Sequence, residues 1–194
     1  LATQAQASGF WVRSTADIGK LIINTGDEAN KVIILDDANE FTVLDSLILS
    51  SGTFALDSAT LSLGGNVSGD GNFTFSARSA IALIGTGNVQ NMGVRNNNNI
   101  LGKLLIKKSG PYEVEIDSPL TIEKALKVGK GKLVLNNANL IVLDTLEFDN
   151  DGYISGNDTV KVYGRLITKN VNGLAGKSNS DVRSGVTLDL AAGS

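Results

Sequence analysis

The chain has 194 residues, 42% hydrophobic but only 5% aromatic, with 22 Gly, 2 Pro and a formal net charge of −3. Aliphatic content of this kind argues against disorder, and near-neutral charge with no basic stripe or interleaved aromatics gives nucleic-acid binding no support. With neither Cys nor His, disulfides, zinc–thiolate sites and the commonest general base are excluded.

The chain opens on Leu1 rather than Met, which fits either a mature form freed of a leader or an excised fragment. Residues 1–17 follow no repeat and read as an N-terminal cap or linker, with Phe10 and Trp11 placed to lid an apolar core. From residue 18 to 190 the chain is a succession of apolar–x–apolar triplets between polar turns. Leu21-Ile22-Ile23, Phe41-Thr42-Val43, Leu61-Ser62-Leu63 and Ile81-Ala82-Leu83 lie twenty apart, and are expected to stack together and lead into a second column further on. Leu47-Ile48-Leu49 and Val67 belong to a third column, and Phe54-Ala55-Leu56 and Phe73-Thr74-Phe75 to a first.

After a polar stretch at 85–100 the triplets return. The first column takes Val114-Glu115-Ile116, Leu133-Val134-Leu135 and Tyr153-Ile154-Ser155. The second takes Leu120-Thr121-Ile122, Leu140-Ile141-Val142 and Val160-Lys161-Val162. The third takes Leu126-Lys127-Val128, Leu146-Glu147-Phe148 and Leu166-Ile167-Thr168. A second polar stretch fills 169–185, and each stretch is expected to be a polar rung or a projecting loop. Val186-Thr187-Leu188 lies twenty beyond Leu166 and is expected to resume the third column; residues 191–194 are a tail.

Alternate side chains of a strand point to opposite faces, so each triplet sends two side chains inward and one outward. One turn cannot bury its own apolar face, and stacked neighbours do so. The predicted fold is therefore all-β: a right-handed parallel β-helix (β-solenoid) with three short strands and about twenty residues per turn. About eight or nine turns at the usual strand spacing of about 4.8 Å make a rod of roughly 40 Å. One corner carries Asp17, Asp37, Asp57, Asn97, Asp117, Asn137 and Asn157 at the same phase, interrupted by Ala77. Asx residues suit turns, and Asn137 with Asn157 is placed to form a short amide ladder.

The run Ser118-Pro119-Leu120-Thr121-Ile122, Ala125-Leu126-Lys127-Val128-Gly129, Lys132-Leu133-Val134-Leu135 and Ala138-Asn139-Leu140 resembles the repeats of large secreted bacterial β-solenoid proteins. It is similar in style to filamentous-haemagglutinin-like adhesins and to the repeat regions of Bacteroidetes surface proteins. The resemblance covers most of residues 20–168, implies secretion and surface display, and carries no site residues.

Polysaccharide-cleaving β-helices work with clustered carboxylates, and the densest acidic cluster is Asp144, Glu147, Asp149 and Asp151. Asp149-Asn150-Asp151-Gly152 reads first as a solvated turn, with a calcium site and paired-carboxylate catalysis as the alternatives. No catalytic, cofactor-binding or metal residue is assigned. On the outside, Val134 and Ile154 are expected to stack into an apolar interface patch. Val186, Leu188 and Leu190 form a terminal strand able to template another chain. An ice- or crystal-binding face along Thr42, Ser62, Ala82 and Thr121 is a further alternative. The expected function is a structural or adhesive solenoid, secreted or at a cell surface, that self-associates or continues in a longer chain and contacts surface glycans. The main alternative is a carbohydrate-binding or carbohydrate-active β-helix of tailspike type. No cofactor, nucleic acid or membrane span is expected.

Overall fold

The computed structural model describes residues 2–6, 9–14, 16–26, 31–34, 40–87, 89–92, 100–149, 152–156, 158–168, 182–183 and 187–190. Within them, alternation decides what is inside. Leu140–Val142 buries its first and third residues and leaves Ile141 half-buried on the outer side. Glu113–Ile116, Lys132–Leu135 and Thr159–Val162 repeat that pattern. There is no helix among the described residues. Every strand pairing among them is parallel except that of Ala2–Gln6 with Gly9–Arg13. The chain is thus an all-β solenoid, with strands in one twelve-stranded and two five-stranded sheets.

The longest ladder stacks Phe41, Leu61, Ile81, Leu104, Leu126, Leu146 and Leu166 through about six turns of about 20 residues. Six, rather than eight or nine, is the count of regular turns because the repeat lengthens at both ends. There Leu21 pairs with Leu47 and Thr159 with Thr187. A second ladder carries Leu120, Leu140 and Val160, paired in succession and at most 2% exposed, as the spacing predicted. A third runs from Val114 through Leu133 to Ile154. The interior is mainly aliphatic, with Phe41 and Phe148 buried singly and Phe54, Phe73 and Phe75 grouped so that their rings meet at 5.6 Å in consecutive pairs. At the N-terminal end Gly9–Arg13 joins the parallel ladder by pairing with Lys31–Ile34, and Ala2–Gln6 closes that edge antiparallel.

Three register expectations change. Leu21 stacks on Leu47, not Phe41, and Phe41, Leu61 and Ile81 run into Leu104 and Leu126, the third column rather than the second. The slip falls in the polar stretch 85–100, which lacks apolar pairs to hold a twenty-residue repeat. Val89–Asn91 pairs with Glu113–Glu115 as a rung, and Gly102, whose added Cβ would stand 2.4 Å from the Ala77 carbonyl oxygen, brings Leu104 onto Ile81. Second, Ile154 pairs with Leu133 and is fully buried, so it faces the core and not the solvent. The turn before it is one residue longer: Gly152 N donates to Asp149 O at 3.1 Å, and Gly152 lies where a Cβ would meet the carbonyl oxygens of Val128 and Gly129 at 2.4 Å. A one-residue slip moves a strand's whole side-chain set to the other face. Third, Leu188 and Leu190 pair with Val160 and Val162, in the second column instead of beyond Leu166. Within 169–185, Val182–Arg183 is a rung on Ile154–Ser155, one of the two arrangements expected there. Val186 and most of that stretch lie outside the described residues, as do the side chains of Phe10, Trp11, Leu188 and Leu190.

Leu140 supplies one inward side chain of a complete layer, and Thr121 sits on the outer side of the adjacent rung. Leu140→Ala is expected to cost about 2–5 kcal/mol and Thr121→Ala less than about 0.5 kcal/mol. Urea unfolding followed by far-UV circular dichroism measures both.

Candidate functional site

On the outer side of the longest ladder, Leu105, Lys127, Glu147 and Ile167 form one row across consecutive rungs. Lys127 Nζ donates to Glu147 Oε1 at 3.2 Å and lies 3.4 Å from Asp149 Oδ2. The hydrogen bond to Glu147, with the two carboxylate charges, holds the Lys127 ammonium above its ordinary pKa against some desolvation. Glu147 and Asp149 therefore serve one cation and do not form a free acid–base pair. Asp144 sits apart, at another corner, where its carbonyl accepts from Arg165 N and its Oδ1 from Thr145 Oγ1. Asp151 lies outside the described residues. No group of three or more Asp or Glu placed to hold a metal ion occurs among the described residues.

Beside this row, where the strands turn a corner, Lys107 pairs in register with Lys130, and Lys108 N donates to Lys130 O at 3.0 Å. Lys108 is 3% exposed; its Nζ donates to Ile84 O at 3.0 Å, and burial pushes its pKa below the usual lysine value. Ile106, Lys107, Lys108, Lys127, Gly129, Lys130 and Asp149 line a groove of about 570 Å³. Gly129 is required at its base, since a Cβ there would lie 2.9 Å from the Ile106 carbonyl oxygen. The Lys107 and Lys130 side chains are exposed, and neither has an ion pair among the described residues. Four lysines thus share the groove with one carboxylate. No basic stripe is visible in the linear sequence. Lys107 meets Lys130 across twenty-three residues, so the twenty-residue periodicity that reveals the apolar columns does not bring them together.

The expected Val134–Ile154 patch does not form, because Ile154 is interior; Val134 is half-buried between Glu115 and Ser155. Among the described residues the large exposed apolar ones are instead Ile22, Leu44, Ile100, Leu143 and Tyr163. The row Thr42, Ser62 and Ala82 continues into Leu105, not Thr121, and Ser62 and Ala82 are buried, so it makes no flat threonine face. At the Asx corner Asp57 pairs with Arg78 at 2.9 Å, and Asn137 takes a φ of 56°, the left-handed turn conformation Asn tolerates. Asp37, Asn97 and Asn157 lie outside the described residues; Asn137 Nδ2 donates to Asn136 Oδ1 at 3.3 Å.

Fold and site together define a parallel β-solenoid with an ion-paired outer surface and one lysine-rich groove. No protein-family model, curated protein or solved structure matches the chain.

The raised Lys127 pKa gives a pH signature. A cation whose folded pKa exceeds its unfolded value stabilises fully below the unfolded value and loses that contribution as pH rises through the folded one. Lys127 is 36% exposed, so solvent screens the pair, and Lys127→Gln is expected to cost at most about 1 kcal/mol at neutral pH. Urea unfolding across a pH series should show the difference from wild type constant up to the ordinary lysine value of 10.5 and shrinking above it.

Proposed function

We propose that this chain is a non-enzymatic structural solenoid, secreted and displayed at a bacterial surface as an adhesive rod or built into an extracellular filament. The observation that carries the reading is the direction of its ion pairs. Lys132 with Glu113, Lys127 with Glu147 and Arg78 with Asp57 join residues 19, 20 and 21 positions apart, each linking one rung to the next. Charges so arranged hold a rod together along its axis and do not face one another across a cleft. The resemblance to filamentous-haemagglutinin-like adhesins supports the same reading, with surface glycans as partners. A right-handed coil is the expected sense, as it is for nearly all crossovers between parallel strands of one sheet.

Thr187–Leu190 ends the path of the twelve-stranded sheet. Its outer edge is where a following segment or a second copy would add a strand through main-chain hydrogen bonds. A carbohydrate-active helix is the rival reading, and it needs carboxylates free to exchange protons, whereas Glu147 and Asp149 are bound to Lys127.

Electron microscopy of the purified chain is expected to show rods joined end to end. Removal of residues 186–194 is expected to abolish assembly and leave a monomer by light scattering. A full-length chain that stays monomeric at high concentration decides against self-assembly. Polysaccharide depolymerisation lost in Asp149→Ala would decide for the enzyme.

A further inference from the structure

We infer that the groove lined by Lys107, Lys108, Lys127 and Lys130 binds an acidic oligosaccharide through its carboxylate or sulfate groups. This deepens the adhesive reading above and rests on it only for where the ligand is met; the groove belongs to a single molecule and needs no assembly.

Three features point to a ligand. First, Lys107 and Lys130 are register partners on adjacent rungs, with their ammonium groups exposed and neither ion-paired among the described residues. By contrast Lys127, in the same groove, and Lys132 and Arg78, outside it, each have a carboxylate on the neighbouring rung. Like charges on adjacent strands repel, and an anion lying between them relieves that repulsion. Second, the concavity of about 570 Å³ falls within the range of small-ligand sites, roughly 300–1,000 Å³. Third, Lys108 is held rigidly in the wall: its Nζ is fixed on Ile84 O, and Gly131 packs so closely that an added Cβ would lie 2.9 Å from Lys108 Cβ. The groove is therefore part of the solenoid's corner and not an accident of long flexible side chains.

The lining also selects the class of anion. It contains no aromatic side chain on which a base could stack, and single-stranded nucleic acid depends on such platforms. A concave site inside a corner fits a chain of sugars better than a flat bilayer of headgroups. The methylenes of the exposed lysines supply the apolar surface against which a sugar ring rests, and the Lys107 and Lys130 ammonium groups meet its acidic substituents. Asp149 is the one opposing charge, and it tempers the site by holding Lys127.

The test is isothermal titration calorimetry of the full chain. The titrants are a heparin-derived oligosaccharide for sulfate, an oligogalacturonate for carboxylate, maltohexaose as the neutral control and oligo(dT) as a nucleic acid. At least one acidic sugar is expected to bind, more weakly as salt rises, with maltohexaose and oligo(dT) silent. Lys107→Gln and Lys130→Gln are each expected to weaken binding about tenfold, the change that one charge-assisted hydrogen bond supplies, with no fall in melting temperature, since either change removes the like-charge repulsion. Asp149→Asn is expected to tighten it. Absence of binding, equal binding by wild type and both lysine variants, or equal affinity for oligo(dT) would overturn the inference. The assembly measured by electron microscopy is a separate readout, so failure of the groove and failure of the rod are told apart.

Discussion

A strand of three or four residues has one inward face only two side chains wide, and alone that face stays wet. Here it becomes dry because the equivalent strand of the next turn lies directly on it, in parallel and in register. Leu104 sits on Ile81, Leu126 on Leu104 and Leu146 on Leu126, all fully buried. Hydrophobic burial, main-chain hydrogen bonding and coil shape are thus one constraint, satisfied turn by turn. The composition follows from it. Branched aliphatics fill most of the thin layers, and large rings are few: Phe41 and Phe148 are buried singly, and Phe54, Phe73 and Phe75 pack as a group.

Corners are the second consequence. Stacked turns bring backbone against backbone at each bend, and some positions tolerate no side chain. A Cβ on Gly64 would stand 2.0 Å from the Leu44 carbonyl oxygen, and one on Gly164 equally close to that of Asp144. Glycine at such bends lets the rungs keep strand spacing while the chain changes direction. Corner length then sets the register of the next strand, as the additional residue before Ile154 illustrates.

The outer surface inherits its neighbours from the inner one. Once Leu126 lies on Leu104, Lys127 is fixed beside Leu105, and once Leu146 lies on Leu126, Glu147 is fixed beside Lys127. Most such adjacencies among charged residues are complementary and are worth little individually at a solvated surface. At the corner holding Lys107 and Lys130 the adjacency is of like charges, which costs stability and calls for a function. The core and the groove are two sides of the same strands.

The solenoid was legible in the residues because its signal is local and repeated: an apolar–x–apolar triplet states its inward pair wherever it occurs, and Leu120, Leu140 and Val160 stack as their spacing predicts. The slip between Ile81 and Leu104, the inward turn of Ile154 and the placement of Leu188 on Val160 were not legible. Each depends on how many residues a corner accommodates, and polar corners carry no periodicity to count by. The groove escaped for the same reason. Lys107 and Lys108 lie in one turn and Lys127 and Lys130 in the next, and no linear window brings Lys107 beside Lys130. By itself the sequence determined that thin aliphatic layers would stack as a parallel coil, since side-chain alternation and burial require only local order. Tertiary structure alone decided which charges meet outside, because that follows from the register between turns, set by glycine-tight corners and by which apolar pairs lie on one another.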